Sequence, residues 1–163
     1  MQELESLNDH PLATHYPTRL PVWWGRDGEI HKSSFKNGLS GKRITISIVK
    51  KFSRIESLIA KLFRAPKIVR HPLDEMNSSL WELCDGQKTF SEICLQMNLL
   101  FQENIAPVVS RTALSLNAFQ RKNILILLDE PLNGRWYVGP GYQHEEIAPH
   151  LPKQYDIYSF ETE

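Results

Sequence analysis

The sequence predicts an α+β fold in which a small antiparallel β-sheet precedes three α-helices, with irregular arms at both ends. Three observations carry that reading. Residues 43–49 alternate strictly, with Ile44, Ile46 and Ile48 on one side and Thr45 and Ser47 on the other, the period of a strand with one buried face. Between Leu73 and Asn123 the period changes to that of a helix, and three apolar stripes follow one another. The stripes begin on capping residues and end on breakers, so their limits are marked as well as their faces.

Taken in order, residues 1–20 carry Asn, Asp, Pro, His and Thr without a period and read as a flexible arm. Residues 21–30 read as a short strand running into a turn at Asp27-Gly28. Residues 31–42, rich in Ser, Gly and Lys, read as a loop ahead of the strand at 43–49. Ser53 and Glu56 form a capping box, and Ile55, Leu58, Ile59, Leu62 and Phe63 continue it at helical spacing until Pro66 stops the helix. Lys67, Ile68, Val69, Arg70 and His71 then form another strand, ended by Pro72.

Asp74 is placed to cap the first helix of the trio, with Met76, Leu80, Leu83 and Cys84 on one face and Gly86 at its end. Thr89 and Glu92 form a second capping box ahead of Phe90, Ile93, Cys94, Met97 and Phe101. Pro107 suits the first turn of the third helix, whose stripe is Val108, Thr112, Leu116 and Phe119. Asn123 breaks it, and Ile124 to Leu128 reads as a final strand or a buried tail. Beyond Leu128 the prolines and aromatics have no period, and Trp136, Tyr137 and Tyr142 are the anchors through which such an arm would pack. The domain therefore spans 21–128, between the arm at 1–20 and an irregular acidic arm at 129–163. Three helices with one apolar face each need a cover, and the small sheet provides it, which is the winged helix-turn-helix arrangement.

Composition narrows the function classes. The 41% hydrophobic and 10% aromatic content fits a globular chain. The longest apolar run, from Asn123 to Leu128, is too short to span a bilayer. The polar, acidic start lacks the basic and apolar regions of a signal peptide, so a cytoplasmic location is expected. Cys84 and Cys94 lie in apolar stripes and read as small buried hydrophobes. The six histidines lack the spacing that converges on a metal, so no metal and no cofactor are expected. Charge is polarised: residues 31–71 hold eleven Lys and Arg against one acidic residue, whereas 129–163 hold seven acidic residues against two basic ones. The basic segment could meet the acidic arms or an anionic partner.

The run LDEMNSSLWELCDGQKTFSEI resembles the PqqD-like family at Leu73, Asp74, Glu75, Trp81, Asp85, Gly86, Thr89, Glu92 and Ile93. The flanking KLFRAPKIVRHPLDE and APVVSRTALSLNAFQRKNILIL are similar to one subgroup of it, and the likeness covers Lys42 to Leu128. The combination is specific, because the spacing and two helix-end signals must coincide. The arms lie outside the usual pattern, and the loop at 31–42 blurs the first hairpin. The resemblance implies a winged-helix recognition module with no shared catalytic residues. Such modules grip the leader of a ribosomally made precursor peptide and present it to a modifying enzyme, often a radical enzyme. One member serves pyrroloquinoline quinone biosynthesis.

Strand addition needs a sheet edge and a neighbouring apolar groove. The expected edge is Lys67, Ile68, Val69, Arg70 and His71, whose basic residues would favour an acidic peptide. The expected groove wall is the third helix at Val109, Ala113, Leu114 and Asn117. The alternative is a winged-helix DNA-binding regulator. Its reading helix would hold only Arg111, Arg121 and Lys122 with Asn117 as a base-reading amide, a poor set for base readout. Phe52 to Phe63 is amphipathic, but such short stretches more often pack on a core than on a membrane. The acidic cluster Asp74, Glu75, Glu82 and Asp85 reads as one helix cap and three exposed carboxylates. No nucleophile–base pairing or phosphate-cradling loop accompanies it, so no enzyme is expected.

Overall fold

Alternation at residues 42–49 builds the centre of the main sheet. The computed structural model describes residues 4, 6–29, 39–49, 61, 68–139 and 142–143. Strand β2 (Trp23–Glu29) pairs antiparallel with β3 (Lys42–Val49), which pairs antiparallel with β4 (Ile68–Pro72). The two-residue strand β6 (Tyr142–Gln143) joins β2 in parallel at Gly25 and Arg26, giving the order β4-β3-β2-β6. Ile44 and Ile46 are fully buried beneath the helices, but Ile48 is half-buried and Thr45 on the opposite face is buried as well, so the strand is covered on both sides at its centre.

Two local expectations change. Asp27-Gly28 is not a turn: β2 runs through it, with a register shift between Asp27 and Glu29. An extra residue bulged in one strand leaves the pairing with β3 intact on either side, so the turn-forming pair bends the strand without ending it. The segment expected as a flexible arm carries strand β1 (Tyr16–Arg19), paired antiparallel with β5 (Leu125–Leu128) from Tyr16↔Leu128 to Arg19↔Leu125. Leu7, Ala13, Thr18 and Leu20 are buried with it. That strand owes its existence to a partner more than a hundred residues away, and no local period encodes such a pairing. The helix expected at 53–63 lies, apart from Lys61, outside the described residues.

The three helices follow the capping signals. Helix α1 (Glu75–Leu83) starts at Asp74, whose carboxylate accepts from the Asn77 amide at 2.7 Å. Helix α2 (Phe90–Phe101) carries the complete capping box of Thr89 and Glu92. A 3-10 turn (Gln102–Ile105) then leads to Pro107, the N-cap of α3 (Val108–Arg121). Their stripes meet in one core with Trp24, Ile44 and Ile46 of the sheet: Leu80, Leu83, Phe90, Ile93, Met97, Leu116 and Phe119 are all buried there. Ser78 ties the layers, its hydroxyl accepting from the Ile44 amide at 3.0 Å.

Trp81 is the largest fully buried side chain. It meets Trp24 and Phe119 edge-to-face, with ring centroids 6.2 and 5.5 Å away. Such a ring buries roughly 150–250 Å², so this contact between sheet, α1 and α3 is a main source of cohesion. Arg19 of β1 lies against the same rings, its guanidinium 5.0 Å from the Trp24 centroid and 6.0 Å from that of Trp81. Its Nη1 donates to the carbonyls of Trp81 at 2.6 Å and Glu82 at 2.8 Å, the acceptors left over at the end of α1. Its Nε donates to the Val138 carbonyl at 2.9 Å, and Trp136 Nε1 donates to the Arg19 carbonyl at 2.7 Å. Residues 132–138 are thereby fastened, and Trp136 and Leu132 form a second small core with Leu20. Tyr137 stays exposed.

Candidate functional site

The end of β4 feeds directly into the cap of α1, and that junction opens onto a groove between α1 and α3. Asp74, Met76, Asn77 and Leu80 line it on the α1 side, and Arg111, Thr112, Leu114 and Ser115 on the α3 side. Met97 of α2 and Ile105 of the 3-10 turn complete the lining, around a volume of about 200 Å³. Asp74 and Asn77 hold each other, Asn77 Nδ2 donating to Asp74 Oδ2 at 3.1 Å, so the polar rim on that side is preset. Arg111 is anchored too, its Nη1 donating to the Asn104 carbonyl at 2.6 Å.

The Thr112 hydroxyl underlies the floor. Thr112 is buried, and its Oγ1 has no hydrogen-bond partner among the described residues. A buried hydroxyl without a partner costs about 1–3 kcal/mol, and this oxygen lies beneath the groove surface rather than on it. The neighbouring Met76 and Met97 side chains are adaptable and suit an apolar group of variable shape.

The residues expected from sequence fall in three places. On β4, Arg70 is exposed, Val69 and His71 are half-buried, and Ile68 lies in the strand. Lys67 lies outside the described residues. On α3, Leu114 lines the groove and is 69% exposed. Val109 is buried in the core and Ala113 packs against that core, whereas Asn117 is exposed and does not line the groove. The facing wall, from Asp74 to Leu80, was legible as a helix start but not as a wall, because the packing angle between α1 and α3 decides which side each helix offers. Backbone alternation on β4, with the Leu73 amide donating to the Ile44 carbonyl, turns the main-chain groups of residues 68, 70 and 72 away from β3.

Two features bear on catalysis. Glu82, expected to be exposed, has a side chain only 6% accessible. It accepts from Arg26 Nε at 2.9 Å, from the Ser40 amide at 2.7 Å and from the Ser40 hydroxyl. It is buried because the loop before β3 and the bulged strand β2 bring it those donors, an arrangement with no local signal. The Cys84 thiol is pushed up to about 12 by burial, against the pull of Arg19, so it stays protonated at neutral pH. Among the described residues, no group of three or more His, Cys, Asp or Glu side chains could hold a metal ion. Nor is any described helix long and apolar enough to cross a membrane.

No family model, curated protein or solved structure matches the chain.

Proposed function

We propose that the chain is a non-catalytic peptide-recognition module of the winged-helix type. It takes an extended segment of a precursor peptide along β4, seats one side chain in the α1/α3 groove and presents the peptide to a modifying enzyme. One observation carries this reading: the terminal strand of the sheet and the apolar groove run into each other, since β4 ends at Pro72 and Asp74 already lines the groove. Strand addition needs that pairing of a sheet edge with a nearby pocket. Pro72 has no N–H to offer, so an added strand would pair upstream of it.

The groove chemistry supports the same ligand class. An apolar cavity of about 150 Å³ holds a benzene-sized group, so the space between α1 and α3, about 200 Å³, suits one large side chain. The excess of basic residues in 31–71 favours an acidic peptide. The order of a small sheet and then three helices supports the winged-helix reading.

The test is amide chemical-shift mapping on the full chain with short acidic peptides that carry one large apolar residue. Shifts are expected along 69–74 and 111–115. Leu114→Asp, at an exposed position, should weaken binding at least about tenfold without loss of fold. Shifts that avoid both β4 and the groove would overturn the reading. So would duplex DNA binding with a steep salt dependence that maps to the exposed face of α3.

A further inference from the structure

We propose, resting on the peptide-recognition reading above, that Arg111 reads a carboxylate two residues away from the apolar side chain that the α1/α3 groove seats. The ligand class thereby narrows from an acidic peptide to one with a defined spacing between its apolar anchor and its acid.

The two walls of the groove carry opposite charges. Arg111 lines it from α3 and Asp74 from the start of α1, both are exposed, and no ion pair joins them. Among the described residues no carboxylate lies within ion-pair reach of Arg111, and the first turn of α3 contains no acidic residue. The guanidinium is held nonetheless. Its Nη1 donates to the Asn104 carbonyl at 2.6 Å, in the 3-10 turn that also sends Ile105 to the groove. That bond leaves the Nε and Nη2 edge, the one that meets a carboxylate with two parallel hydrogen bonds. A guanidinium already held in place loses less freedom when such a partner arrives. On the other wall the Asp74 carboxylate is occupied by the amide and Nδ2 of Asn77, and its charge repels a second carboxylate. An acidic ligand residue is therefore steered to the α3 side.

Spacing follows from the helix and from the extended peptide. Arg111 and Leu114 are three residues apart, so they are neighbours on one face of α3, with Cβ atoms about 5–6 Å apart. Leu114 is exposed and Met76 half-buried, which makes them the accessible apolar surfaces of the two walls. In an extended peptide adjacent side chains point to opposite faces, while alternate ones point the same way, roughly 6.6 Å apart. A peptide that lays an apolar side chain on Leu114 and Met76 thus meets Arg111 with the second residue along, not the next.

Amide-shift titration of the full chain with end-blocked peptides tests this. The first peptide carries Asp-Ser-Phe-Ser-Asp, which presents the acid in either chain direction. Its counterparts carry Asn or Lys in place of Asp, or Ser-Asp-Phe-Asp-Ser with the acids adjacent to Phe. The wild-type chain should bind the spaced Asp peptide about three- to fivefold more tightly than the Asn peptide at low ionic strength, and salt should erase the gap. Arg111→Gln should abolish the preference, and Arg111→Glu should reverse it in favour of the Lys peptide, with circular dichroism unchanged. A merely structural role for Arg111 would shift all affinities together. Equal wild-type binding of the Asp and Asn peptides, or a preference for Asp that survives Arg111→Glu, would overturn the proposal and leave the peptide-recognition reading standing. Adjacent acids that bind as tightly as spaced ones would overturn the spacing. Failure of every peptide to bind the wild-type chain would overturn both.

Discussion

Replacing Arg19 by Met tests whether the N-terminal segment is a structural clasp or a loose arm. Met keeps most of the apolar stem and the contact with Trp24 and Trp81 but removes all three donated hydrogen bonds. The Trp81 carbonyl keeps a donor, because the Cys84 amide also reaches it at 3.3 Å. The carbonyls of Glu82 and Val138 lose the bond they have among the described residues. Both acceptors are only part-buried, so the roughly 1–3 kcal/mol cost of a fully buried orphan is an upper bound for each and the loss is at most about 2–6 kcal/mol before any gain is counted. The gain is the charge no longer buried. Burial lowers the Arg19 pKa to about 10 despite the nearby Cys84, Asp85 and Glu82, so folding opposes the guanidinium's charge even as its hydrogen bonds use it. The net expectation is a destabilisation of about 3 kcal/mol for Arg19→Met, and more for Arg19→Ala, which also empties the space beside the rings. In urea titration that lowers the midpoint by roughly 1–3 M with an unchanged slope. A change below about 0.5 kcal/mol, the size expected at an ordinary surface position, would refute the reasoning.

Gly86 and Gly134 separate backbone strain from crowding. Both have φ near +70°, but a Cβ at Gly86 would lie 2.7 Å from Leu132 Cβ and 2.8 Å from Thr18 Oγ1, while at Gly134 it meets nothing within 4 Å. Gly86→Ala should cost several times the roughly 1–2 kcal/mol expected for Gly134→Ala, as read by thermal midpoints. Thr89→Ala removes one half of the capping box and should cost about 1 kcal/mol, with Glu92→Ala partly non-additive to it in a double-mutant cycle. The Cys84 thiol gives a pH signature. Its folded value of about 12 lies above the ordinary 9.0, so the unfolded chain loses the proton first and stability falls as pH rises from 9 toward 12. Arg19, lowered to about 10, acts in the opposite sense from pH 10 upward, so the Cys84 contribution is read with least opposition between pH 9 and 10. Cys84→Ala should flatten stability against pH in that interval, by up to about 1.4 kcal/mol per unit; an unchanged slope would show that the thiol does not titrate as described.

The sequence by itself determined the elements whose signals are local. Asp74, Thr89 and Glu92 act as caps where expected, β3 follows the alternation of Ile44 and Ile46, and the stripe of Val108, Thr112, Leu116 and Phe119 is buried. These features rest on hydrogen bonds and side-chain spacing within a few residues, which a linear pattern records. Tertiary structure alone decided the rest. It made a strand of Tyr16–Arg19 by pairing it with Leu125–Leu128, carried β2 through Asp27-Gly28, and buried Glu82 against Arg26 and Ser40. In the candidate site it kept Leu114, turned Val109 and Ala113 toward the core, and raised the opposite wall from Asp74, Met76, Asn77 and Leu80. Periodicity gives the width of an apolar arc but not which part of it a neighbour covers. That depends on the angle at which helices cross, a property of packing between segments rather than of either segment alone.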